Sequence, residues 1–211
     1  MNDFKELWYD WQGKNDTLFL QINHYRETDY NTAMQYISWV GDKSHFQGYF
    51  VGLLVIAVLA SLFSSLRGKK AWPYIMSWIG VFAVLIIGFY VNDYITLHLK
   101  DYFSYPRPYI SYVSGSEMYK MENIDKAKDF QSFPSGHTTF VTFMVMALWP
   151  VLGNFMKACG IALIFLTAWS RVSLGMHYPA DVVGAVIIAV PLIWLLRIAI
   201  YAALRKIKIR C

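Results

Sequence analysis

The chain has 211 residues, 56% hydrophobic and 16% charged, with a formal net charge of +5. A single domain of that length has too little interior for so many apolar side chains, which excludes an ordinary water-soluble globule and points to a membrane-embedded protein. The basic residues collect at the ends of apolar segments and form no aromatic-interleaved stripe, so the charge fits membrane orientation and no nucleic-acid partner is expected.

Residues 1–45 carry more acid than base and lack a basic stretch followed by a short apolar core, so no cleavable leader is expected. Leu18, Leu20, Ile22, Met34, Ile37 and Val40 are spaced among polar residues, which predicts one or two amphipathic helices lying in the membrane interface. A small soluble cap is the plainer alternative.

Five apolar stretches follow: Phe50–Leu66, Trp72–Leu97, Thr138–Leu152, Phe155–Trp169 and Pro179–Leu204. The second would be about 39 Å long as a helix, more than a hydrocarbon core of roughly 30 Å, so it should tilt or project. The third and fourth are short and should borrow a turn from neighbouring residues, with Gly153-Asn154 as the turn between them. The expected fold is all-α: one domain over residues 1–211, a polytopic membrane bundle of about five transmembrane helices and six at most.

With five alternating spans, Arg67-Gly68-Lys69-Lys70, Lys157 and the run Arg205–Arg210 fall on one side, which the positive-inside rule makes cytoplasmic. The N-terminal segment, an outer loop over residues 98–137 and the 170–181 region then share the opposite, exterior side. Within that loop the polar stretch Ser111–Gln131 reads as a lid or as a plain connector. Trp72, Trp78, Trp149, Trp169 and Trp194 read as belt or packing residues. Cys159 and Cys211 are expected to be unpaired.

Three motifs stand on that exterior side. Lys100, Arg107 and Arg171 are cations suited to the equatorial oxygens of a transferring phosphoryl group, and Pro106 and Pro108 stiffen the backbone at Arg107. Ser135 precedes an apolar helix as an N-cap, where backbone N–H groups attract anions, and Gly136 lets that backbone come close. His137 follows, where it can protonate a leaving oxygen. His177 and Asp181 are four apart at the start of the last helix, so the carboxylate can fix the imidazole tautomer and leave the other nitrogen to attack phosphorus. Taken singly, each is also an ordinary anchor, cap or structural contact. Asn92, Asp93 and His98, near the outer end of the second span, read as supporting residues.

At these residues the chain resembles the type 2 phosphatidic acid phosphatase superfamily. Its signature, Lys-x6-Arg-Pro, Pro-Ser-Gly-His and Ser-Arg-x5-His-x3-Asp, stands here as Lys100–Pro108, Pro134–His137 and Ser170–Asp181, in order. The resemblance implies metal-independent hydrolysis without a cofactor, through a phosphohistidine at His177. Asp181 would orient it, His137 would serve as acid and then base, and Lys100, Arg107, Ser135, Gly136 and Arg171 would hold the phosphate. The expected substrate is a lipid phosphate such as phosphatidylglycerol phosphate, undecaprenyl pyrophosphate, phosphatidate or a lipid A phosphate. The local context looks bacterial and leans toward relatives of phosphatidylglycerophosphatase B, in an inner (plasma) membrane. Two other readings share the motifs: a phosphotransferase using a polyprenyl pyrophosphate donor, and a non-catalytic lipid-binding or transport protein. Neither the headgroup nor the oligomeric state is legible.

Overall fold

The computed structural model describes residues 3–24, 27–68, 72–112, 118–119 and 126–210. Among them every regular element is a helix: α1 (Asp3–Asp10), α2 (Lys14–Asn23), α3 (Thr28–Val40), α4 (Phe46–Leu66), α5 (Trp72–Phe103), α6 (Pro108–Ser111), α7 (Gly136–Leu148), α8 (Asn154–Ser173) and α9 (Pro179–Arg210). The all-α expectation is met. By length and composition α4, α5, α8 and α9 can each cross a bilayer, and α7 is a shorter apolar helix.

The five stretches are those expected, with different ends. α5 continues six residues past Leu97, so Lys100 sits near its end and not in an outer loop. His98, Lys100 and Asp101 end the apolar run in the sequence, but nothing there breaks a helix until Ser104, at φ 43°, and Pro106. At 1.5 Å per residue α5 is about 48 Å long, so it must project well beyond a hydrocarbon core of roughly 30 Å. α4 starts earlier, at Phe46, and α8 runs on to Ser173.

α7 would be only about 20 Å long, too short to cross alone. It need not, because it packs against α5, α8 and α9 and buries Phe140, Val141, Phe143, Val145 and Ala147. Close packing around it uses two glycines. A Cβ on Gly88 would lie 2.8 Å from Phe143, and one on Gly160 would lie 2.8 Å from Val145. α4 is the opposite case, with Val51, Val55, Ile56, Leu59 and Leu62 all more than half exposed, a surface suited to hydrocarbon.

The N-terminal helices are more integrated than interfacial amphipathic helices would be. α2 and α3 pack against α8. Tyr9, Phe19 and Ile22 are buried in one cluster with Phe103, Phe133, Val172 and Tyr178, and Met34 is buried against Tyr109 and Leu174. Leu18, Leu20 and Val40 remain exposed, as an interfacial face requires. Trp72 and Trp194 are exposed, whereas Trp169 is a packing residue whose indole N–H donates to the Tyr30 hydroxyl at 2.8 Å. Cys159 is exposed and unpaired, and Cys211 lies outside the described residues.

The buried faces of α2 and α3 carry polar side chains. Asn15 Oδ1 accepts from the Ala180 N–H at 3.0 Å, and so caps the first turn of α9 from another helix. Asn23 Nδ2 donates to Ser173 O at 2.8 Å and to Tyr119 O at 3.0 Å. Replacing Asn15 by Ala would strand a buried N–H, which costs about 1–3 kcal/mol. The Asn15→Ala protein should therefore unfold at a clearly lower temperature in detergent, and an unchanged midpoint would refute this capping role.

Candidate active site

Each motif residue is delivered by a helix end. Lys100 lies in the last turn of α5. The chain then turns through Ser104, and Arg107 stands at the N-cap position of α6 with Pro108 as the first helical residue. Ser135 occupies the N-cap position of α7, but its side chain caps nothing; its hydroxyl accepts from Thr138 Oγ1 at 3.0 Å. The capping expected from sequence is thus replaced by a side-chain contact within the first turn.

Arg171 lies in the last turn of α8. The helix stops at Gly175, whose φ of +70° few side chains tolerate and whose Cβ would fall 2.5 Å from Tyr119 O. This turn returns the chain to α9 and brings His177 back beside Arg171. Pro179 opens α9, with Asp181 in its first turn.

Backbone bonds stitch the three motifs together. Ser135 N–H donates to Asp181 O at 3.2 Å, Ser132 N–H to Tyr105 O at 3.1 Å and Arg107 N–H to Asp129 O at 2.9 Å. Lys100 Nζ donates to Gln131 O at 2.8 Å. The ends of the 111–131 stretch are therefore anchored, while residues 113–117 and 120–125, on which a lid would depend, lie outside the described residues.

Lys100, Arg107, Gly136, His137, Arg171 and His177 all line one cavity of about 610 Å³. Ser135 and Asp181 lie just behind its wall, both fully buried. A Cβ on Gly136 would meet nothing within 4 Å, so the backbone there is open to a bound group. Lys100, Arg107 and Arg171 are each more than nine-tenths buried. Arg171 Nη1 donates to Ser38 Oγ at 2.5 Å, and its Nε has no hydrogen-bond partner among the described residues. Three cations gathered out of water repel one another, and a site of this kind gains stability by taking up an anion. Their guanidinium forks and ammonium suit a tetrahedral oxyanion.

Asp181 is the one carboxylate buried among the described residues. It accepts from Ser132 Oγ at 2.5 Å, from Tyr178 N–H at 2.8 Å and from the Tyr9 hydroxyl. His177 Nδ1 lies 3.5 Å from Asp181 Oδ2, close enough for an ion pair but without the alignment of a hydrogen bond. His137 Nε2 lies 3.8 Å from Asp42 Oδ2. Burial alone would raise the Asp42 pKa, but hydrogen bonds from Ser44, with His137 and His45 nearby, hold it below the usual carboxylate value. Among the described residues no group of three His, Cys, Asp or Glu side chains is placed to hold a metal ion.

Sequence reasoning brought together every motif residue that the structure gathers. It missed Tyr9, Ser38 and Asp42, which reach the site from the N-terminal segment across more than ninety residues of chain and leave no local signature. Asn92 and Asp93 line the same cavity; Asp93 pairs with Lys43 at 2.5 Å. His98 is exposed, with Nδ1 2.8 Å from Tyr94 O and its ring 3.9 Å from the Tyr94 ring.

Residues 77–205 match the profile of the PAP2 superfamily. Phosphatidylglycerophosphatase B of Haemophilus influenzae is 38% identical over 84 residues, covering 36% of this chain and 33% of that protein. The match thus spans about a third of the length of that relative. The crystal structure of Aquifex aeolicus LpxE is similar with a TM-score of 0.62 at 18% identity, over 86% of this chain and 93% of that one. A transmembrane PAP2 type phosphatidylglycerolphosphate phosphatase from Bacillus subtilis gives a TM-score of 0.60 at 19% identity, over 93% of this chain and 87% of that one. At those identities the two structures establish a shared fold.

Burial, then the charges of Arg107, Arg171 and Lys100, push the His177 imidazole well below its ordinary value of 6.5. The unfolded chain therefore takes up a proton near pH 6.5 that the folded chain refuses. The stability is fully present above that pH and is lost progressively as the pH falls below it. The thermal midpoint should drop between pH 7 and pH 5, with a shallower fall in His177→Gln. Parallel profiles for the two proteins would contradict the assignment.

Proposed function

The chain belongs to the PAP2 superfamily, and from that premise we propose that it is an integral membrane lipid phosphate phosphatase working through a phosphohistidine. The observation that carries this reading is the convergence of three buried cations and two histidines, from four helix ends and the turn before α9, on one cavity.

The cavity's shape supports a lipid over a soluble phosphate ester. Below Lys100 it follows one face of α5 past Thr96 and Asn92 to Phe89, about 16 Å at 1.5 Å per residue. Phe140 closes that end and also lines an apolar groove of about 400 Å³ between α4, α7 and α8. A phosphate held by Lys100, Arg107 and Arg171 would leave the hydrocarbon part of its ester pointing toward that apolar end.

In the first step the free Nε2 of His177 attacks phosphorus. A N–P bond forms as the P–O bond to the lipid breaks, and His137, which takes up a proton when the phosphate anion enters and offsets the surrounding cations, gives that proton to the departing alkoxide. Asp181 Oδ2 stands 3.5 Å from Nδ1, and a small turn of the ring would let it accept from Nδ1–H, which would fix the tautomer and stabilise the charge that develops on the ring. In the second step His137 removes a proton from water, the oxygen attacks phosphorus, and the N–P bond breaks to release inorganic phosphate and neutral His177. Lys100, Arg107, Arg171 and the N–H groups at the start of α7, near Ser135 and Gly136, hold the phosphoryl oxygens throughout. None of these steps calls for a metal or cofactor. The positive-inside pattern supports an orientation with this end of the bundle on the exterior side of a bacterial plasma membrane and the C-terminus in the cytoplasm.

The substrates to compare are phosphatidylglycerol phosphate, undecaprenyl pyrophosphate, phosphatidate and a phosphorylated lipid A. The purified protein in detergent should release phosphate from at least one of them in EDTA, and His177→Ala should remove that activity while the protein stays folded. Undiminished release by His177→Ala would overturn the nucleophile. Arg171→Ala should lower kcat/KM by about a hundredfold or more, as expected when a charged donor to the transferring group is lost; a change of less than threefold would take Arg171 out of the phosphate site.

A further inference from the structure

The N-terminal helices lie outside the family-matched residues 77–205, yet they and the turn after them touch residues of the second and third motifs. Tyr9 of α1 bonds Asp181, Ser38 of α3 bonds Arg171, and Asp42, just beyond α3, faces His137. Tyr9 has the tightest placement of the three. It is only 5% exposed, and its ring stacks on Tyr105 with centroids 3.5 Å apart and planes 6° from parallel. The Tyr178 and Tyr9 rings meet edge to face at 5.7 Å. The ring is therefore fixed from two sides, and the hydroxyl has one direction to point.

We propose that Tyr9 is a positioning residue for the reaction: its hydroxyl donates to Asp181 Oδ1 and so holds the other oxygen, Oδ2, toward His177. The inference rests on the reading of His177 as nucleophile and Asp181 as its partner. A carboxylate can rotate about its Cβ–Cγ bond, and in this site each oxygen has a separate donor set. Ser132 Oγ and Tyr178 N–H both go to Oδ2, the oxygen that faces His177. Without Tyr9, Oδ1 would be left with no donor among the described residues, buried, and the carboxylate could relieve that by turning Oδ2 away from the imidazole. Burial and the adjacent Asp181 charge also raise the Tyr9 pKa, which keeps the phenol protonated and able to donate.

Such a residue acts on the chemical step and not on binding, because it touches neither the cavity nor the phosphate cations. Tyr9→Phe keeps the stacked ring and removes only the hydroxyl. It should lower kcat by about tenfold or more, in the range found when a partner that orients a working side chain is lost, while KM stays within twofold. A second variant, 4-fluorophenylalanine at position 9, fills more of the hydroxyl's space without a proton to donate, and should show the same loss. Thermal unfolding of each variant in detergent runs alongside.

Reduced kcat at constant KM in a folded variant supports the proposal. Unchanged kcat, or a change confined to KM, overturns it. Failure of both variants to fold assigns Tyr9 to structure and overturns it as well. His177→Ala in the same assay separates the two levels: if that variant is active the nucleophile reading itself falls, whereas if it is inactive and Tyr9→Phe is normal, only the role of Tyr9 falls.

Discussion

Asp181 is a carboxylate with no water to solvate it, and much of the site's geometry follows from how that charge is accommodated. A buried carboxylate is tolerated only when its lone pairs are taken up and a positive group stands near. Here the donors come from three places in the chain, α1 through Tyr9, the segment before α7 through Ser132 and the turn before α9 through Tyr178, while the charge of Lys100 on α5 stands near. The backbone oxygen of the same residue accepts from Ser135. Satisfying one side chain thus fixes the second motif against the third and draws the N-terminal helices onto the bundle. A network of this kind has no partly formed version that is cheap, so the site and the end of the bundle are expected to order together.

The cations impose the complementary constraint. Lys100, Arg107 and Arg171 crowd one cavity wall, with Gln131 O as a neutral acceptor for Lys100 and Arg107 and Ser38 Oγ for Arg171. Carbonyl and hydroxyl oxygens soften like-charge repulsion but do not cancel it. The arrangement keeps these groups poised for a multiply charged anion, so part of the binding energy of a phosphoryl group is the relief of that repulsion. Burial holds His177 neutral, and the same field adds to the effect, because what attracts an anion repels a proton; on the reading proposed, this leaves the imidazole as a free base for the attack.

Most of the bundle was legible because membrane spans declare themselves by length and apolarity, and the motif residues because fixed spacing at helix ends survives translation into space. What escaped has physical reasons. Lys100 and Asp101 looked like the start of a loop, since polar residues ordinarily end an apolar run, yet α5 projects beyond the hydrocarbon and can carry them in helical form. The N-terminal helices looked interfacial because periodicity seeks an apolar inner stripe, whereas theirs is partly polar: Asn15, Asn23, Asn31 and Ser38 are all buried. Tyr9 and Asp181 are 172 residues apart, and no pattern within a single sequence joins them.

The same division of polar and apolar surfaces sets how a substrate must enter, on the reading proposed. Lys43 and Asp93 pair at the outer end of α4, which marks where the first spanning helix leaves the hydrocarbon. Lys100 lies seven residues further along α5, about 10 Å higher at 1.5 Å per residue. The phosphate must therefore rise above the bilayer surface while its hydrocarbon part stays below, and Thr96 and Asn92 line the passage between. A headgroup that spans this gap lets the phosphate reach His177 without lifting the tails out of the membrane. A shorter one would expose apolar surface to water, at roughly 25 cal/mol for each Å² exposed. Reach, in addition to charge, then becomes a basis for choosing among lipid phosphates that all present the same terminal group to the three cations.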